Sequence, residues 1–90
     1  MIEKDYVLVN SNYSLHKGRQ VVLKLINNKI NFLKQEALRV LLVEDAKDEH
    51  LTKRVKELQK EKEDFLKFIE NDCSDGSEMD VFCELKIKVK

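Results

Sequence analysis

Val81-Phe82-Cys83-Glu84-Leu85-Lys86-Ile87-Lys88-Val89-Lys90 alternates along its whole length. Val81, Cys83, Leu85, Ile87 and Val89 are apolar; Phe82, Glu84, Lys86, Lys88 and Lys90 stand between them. Successive side chains of a strand point to opposite faces, so a period of two predicts a half-buried strand with one polar face. Shortly before it, the seven residues Asp72 to Glu78 carry the clearest turn chemistry in the chain, with Gly76 suited to a positive φ.

Further back the period changes. From about Asp48 to Asn71, Leu51, Val55, Leu58, Phe65 and Ile69 lie on one narrow helical stripe. Lys62 interrupts it, and a lysine stem can still pack there. Asp45 or Asp48 suits the N-cap of this helix. Glu49–Lys53 and Glu63–Lys67 are helix-supporting pairs in the favoured order.

Residues 15–43 show helical spacing again, through Leu15, Val22, Ile26, Ile30, Leu33, Ala37, Val40 and Leu41. Ser14 or Asn12 suits its cap. A second stripe of Val21, Leu25, Phe32 and Val43 widens the apolar arc beyond half of the helix. Asn27-Asn28 lowers helix propensity and marks a place for a break. At the start of the chain, Tyr6-Val7-Leu8-Val9 reads as a strand running into a turn at Asn10-Ser11-Asn12. Plain alternation puts Tyr6 and Leu8 on one face and Val7 and Val9 on the other. Apolar residues on both faces predict cover on both.

The reading is therefore an α+β domain over residues 1–90, in the order β-α-α-β. A short link makes the helices a long antiparallel hairpin. The terminal strands pair antiparallel. Two strands leave both edges unpaired, and the wide arc of the first helix exceeds what one narrow-striped helix covers. Both features predict extension by self-association, with a dimer favoured.

Composition narrows the function. Seventeen Lys+Arg balance seventeen Asp+Glu, so no strongly basic character marks a nucleic-acid binder. No apolar run spans a membrane. The first residues lack a basic stretch followed by an apolar one, so a cytoplasmic setting is expected.

Several residue groups have the composition to carry chemistry. His16, Lys17 and Arg19, beside Gly18 and Gln20, form a small basic knot at a helix start, a place where anions and carboxylates bind. A solvated first turn, with Arg19 paired to a neighbouring acid, explains the same residues. Lys86, Lys88 and Lys90 would be the nucleic-acid contact, though lysine also protects strand edges and only Phe82 offers a stacking ring.

Cys73 is expected in an exposed loop and Cys83 on the apolar strand face, ten residues apart and without zinc-site spacing. Asn71, Asp75 and Gly76 fit part of a calcium loop, but Cys73 and Phe82 stand where oxygen ligands belong, so a plain turn is expected. Glu44, Asp45, Asp48 and Glu49 suit the positive end of a helix. No catalytic, metal or cofactor residue is nominated. The expected function is a small non-enzymatic structural or protein-interaction subunit. The alternative is a nucleic-acid-binding accessory protein.

Overall fold

The computed structural model describes residues 1–46 and 48–90. Strand β1 (Ile2–Ser14), helix α1 (Leu15–Glu44), helix α2 (Glu49–Asp72) and strand β2 (Glu78–Val89) follow in that order, and β1 and β2 form one antiparallel two-stranded sheet. The expected β-α-α-β architecture is present. The chain divides into two compact units. One is the ribbon with the first turns of α1, Met1–Gln20 and Ser74–Lys90; the other is the helical hairpin, Val21–Cys73.

In the ribbon, Ile2 pairs with Val89 and the ladder continues regularly to Val7 opposite Glu84. It then shifts by one residue, so that Val9 rather than Leu8 stands opposite Cys83, and runs on to Ser14 opposite Glu78. This bulge corrects the expected faces. Tyr6 and Val9 now share a side, because one extra residue in a bulge turns the following side chains over. The apolar face carries Ile2, Tyr6, Val9 and Tyr13 against Val89, Leu85, Cys83 and Met79.

The expected turn at Asn10-Ser11-Asn12 is strand instead. These residues pair with Phe82, Val81 and Asp80, and Asn12 Nδ2 donates to Asp80 Oδ1 across the ladder at 2.8 Å. Pairing partners outweigh the weak strand preference of Asn and Ser. The strand passes straight into α1, with Ser14 as cap: its Oγ accepts from the Lys17 backbone N–H at 3.2 Å. The Leu15 N–H donates to the Ser77 carbonyl. The connection before β2 closes as a turn, with Ser77 N–H donating to the Ser74 carbonyl and Gly76 at φ 88°.

In the hairpin, α1 is continuous through Asn27-Asn28. Each Asn costs only a fraction of a kcal/mol in helix propensity, and packing of the flanking stripe outweighs that. Ile30 and Leu33 on this stripe are the buried apolar residues of the core among the described residues. Asp45, at φ 51°, takes the left-handed backbone that often follows a helix, so it terminates α1 rather than capping α2. Asp48 is the cap of α2. Its Oδ1 accepts from the Leu51 N–H at 3.1 Å, and its carbonyl accepts from Thr52 Oγ1.

The helices run antiparallel. Ile26 of α1 shares one groove with Phe65, Phe68 and Asn71 of α2, while Ala37, Leu38 and Leu41 share another with Asp48 and Thr52. The α2 stripe of Leu51, Val55, Leu58, Phe65 and Ile69 is half-buried, and Lys62 is half-buried with it. The helix-surface ion pairs are Arg39–Glu36 at 3.2 Å and Arg54–Glu57 at 3.0 Å; the expected Glu49–Lys53 and Glu63–Lys67 pairs are not formed among the described residues. All these groups are solvated, and such pairs are worth only tenths of a kcal/mol. No helix is long and apolar enough to cross a membrane among the described residues.

Candidate interaction surface

His16, Lys17 and Arg19 sit in the first turns of α1 and are all exposed, whereas Gly18 between them is buried. At about 100° per residue, a buried Gly18 sends Lys17 and Arg19 to opposite flanks of the helix. They do not converge on one point. His16 Nε2 instead meets Gln20 Nε2 at 3.2 Å on the outward side. The backbone is engaged too: the Leu15 and Lys17 N–H groups already donate to Ser77 and Ser14. An anion at this helix end would find those two donors taken. Arg19 forms no ion pair among the described residues.

Lys86, Lys88 and Lys90 are exposed, and the ladder decides what surrounds the first two. Lys86 stands opposite Asp5, and Lys88 opposite Glu3, with Nζ 3.9 Å from Oε1. The same face carries Glu78, Asp80 and Glu84. Five carboxylates therefore accompany two paired-strand lysines, so this face is not the basic surface that phosphate binding draws on. Phe82 is exposed on it, opposite Asn10.

Cys73 is half-buried at the C-cap of α2, not exposed as expected, because the chain is still leaving the helix there. Cys83 is half-buried on the apolar ribbon face opposite Val9, as its strand phase requires. Among the described residues, no three His, Cys, Asp or Glu side chains converge as a metal site. Asp48 is engaged as a helix cap and Asp45 in the reversal after α1, which gives both a local structural role.

The conspicuous feature is apolar surface. On the ribbon, the Met79–Cys83 end of the apolar face is half-covered, but Leu85, Ile87, Val89, Ile2 and Tyr6 are exposed. Val7 and Leu8 are exposed as well, so the expected cover on both faces of β1 is not found among the described residues. On the hairpin, the second stripe of α1 stays open at Leu25, Phe32 and Val43, and Lys29 Nζ lies 5.3 Å from the centre of the Phe32 ring. Leu38, Leu41 and Leu42 are exposed too, on other sides of the same helix near its end, Leu42 being 74% exposed.

No family model, curated protein or solved structure matches this chain. The bulge and the buried glycine are features that sequence reasoning missed. Gly18 had one signal: a glycine in the first turns of an otherwise apolar-striped helix, where it lowers helix propensity and so suggests a close approach.

Proposed function

We propose that this chain is a small, non-enzymatic structural or interaction subunit of the cytoplasm that self-associates, most simply as a dimer. The exposed apolar end of the ribbon carries this reading: Ile2, Tyr6, Leu85, Ile87 and Val89 lie together on one face of the sheet, and contiguous apolar surface marks interaction sites. The ribbon adds a second argument, since a two-stranded sheet is marginal alone and gains from further strands.

Light scattering after size exclusion, over a concentration series, tests the proposal. A species of twice the 10.6 kDa chain mass or more, persisting on dilution to micromolar concentration, is expected. A species of single-chain mass at every concentration would overturn it. Salt separates the two kinds of contact, because apolar burial survives high salt whereas exposed charge pairs weaken.

A further inference from the structure

We propose that the outer edge of β2 pairs with β2 of a second copy, antiparallel about a two-fold axis at Leu85, making a four-stranded sheet. The inference rests on the self-association proposed above and names its surface. β2 is paired with β1 on one side only, so the backbone groups along its other edge have no ladder partner among the described residues. The outer edge of β1 is the poorer template. The Leu8 bulge breaks its regularity, and bulged edges twist away from further pairing. Pairing of its regular half about Lys4 would also set Lys4 against Lys4 and Glu3 against Asp5.

The charge pattern of β2 selects the register. Residues directly opposite in an antiparallel pair share a face, so keeping the two apolar faces together requires odd residues opposite odd and even opposite even. With the axis at Leu85, Glu84 meets Lys86 of the second copy and Lys86 meets its Glu84. Asp80 then meets Lys90, and Phe82 meets Lys88, an aromatic ring against an ammonium. On the other face Leu85 meets Leu85, Cys83 meets Ile87, and Val81 meets Val89. No like charges are opposed.

The adjacent registers fail this test, and an axis at Cys83, which also opposes no like charges, sets Phe82 against Glu84 rather than against a lysine. An axis at Glu84 sets Glu84 against itself, and an axis at Lys86 sets Lys86 against itself. Within the chain, Lys86 already stands opposite Asp5, so in the four-stranded sheet a carboxylate flanks it on both sides. Lysines that repel most strands from this edge thus admit one partner, the same strand reversed.

Charge exchange tests the register. K86E opposes Glu84 with a second acid at both symmetry-related positions, and E84K opposes two lysines. Each single variant is expected to raise the dimer dissociation constant about tenfold at low salt, and the double variant E84K/K86E to restore it to within about threefold. A second arm does not depend on charge. In a C73S/C83A background, L85C places two thiols on the axis, where opposed strand Cα atoms lie about 4.5–5.5 Å apart, within disulfide reach. Mild oxidation is expected to give a covalent dimer with L85C and none with V81C, whose two copies stand about 26 Å apart in this register.

A wild-type chain that stays monomeric overturns self-association itself. An assembled wild type with no rescue in the double variant and no L85C cross-link overturns the β2 register alone.

Discussion

Gly18 of α1 lies against Met79 of β2 so closely that a Cβ on the glycine would stand 2.6 Å from the Met79 sulfur and 3.0 Å from its Cβ. The sulfur ends a flexible side chain and can move; the Cβ is fixed by the strand backbone. Helix and strand meet here at a distance only glycine allows.

Gly18→Ala is therefore a contest of two effects. Alanine favours helix by about 1 kcal/mol over glycine, while overpacking costs about 1–3 kcal/mol. The short approach to the Met79 Cβ tips the balance, and a net loss of about 1 kcal/mol in urea unfolding is expected. Met79→Ala removes the sulfur contact but keeps the Cβ, so G18A should cost less in an M79A background without becoming neutral, a partial non-additivity. The comparison must be made at one protein concentration, since association shifts apparent stability.

Gly76 makes the complementary case. A Cβ there meets nothing within 4 Å, but the backbone sits at φ 88°. Gly76→Ala is expected to cost about 1–2 kcal/mol from backbone strain alone. No second substitution should rescue it. Additivity of G76A with M79A, measured by the same unfolding assay, separates conformational from steric glycine.

The two aspartates of the interhelical link predict opposite outcomes. Asp48→Ala removes the side-chain acceptor of the Leu51 N–H and is expected to lose about 1 kcal/mol. Asp45→Gly relaxes a φ of 51° and takes a negative charge from the negative end of α1, so a gain of about 0.5 kcal/mol is expected. Thermal unfolding of both variants checks the signs; a destabilised D45G would contradict the assignment of Asp45 to the helix reversal.

Burial ranks the apolar substitutions. Leu33 is 7% exposed and Leu42 74%. Leu33→Ala should cost about 2–4 kcal/mol in unfolding. Leu42→Ala should change chain stability by less than about 0.5 kcal/mol. Denaturation at a concentration where the chain is monomeric, or failing that at one matched degree of association, reads the difference.

The order of elements was legible because their periods differ. The two-residue alternation around Leu85 and the three-to-four-residue spacing around Ile30 need no tertiary information. The caps were legible to within a pair, Ser14 or Asn12 and Asp45 or Asp48, since short oxygen-bearing side chains before an apolar stripe have one common use. What escaped depends on a partner. Asn10 to Asn12 reads as a turn until Asp80 is opposite Asn12. The bulge exists only between two strands, so Tyr6 and Val9 could not be placed on one face from β1 alone. In sequence Gly18 sits among His16, Lys17 and Arg19. In the helix they diverge, with the glycine facing Met79 and the polar side chains in solvent. Cys73 followed the polar letters around it, although the helix end keeps it half-buried.

The one-residue shift between Val7 and Val9 gives β1 a slack that no other part of the ladder has. Loss of a residue farther along the strand turns over the side chains between the gap and a strand end, or between the gap and the bulge. Loss of Val7 or Leu8 closes the ladder into even pairing, with Tyr6, Val9, Ser11 and Tyr13 on the faces they already occupy. At this one step the gene can shorten by a codon and leave the ribbon's two sides as they are.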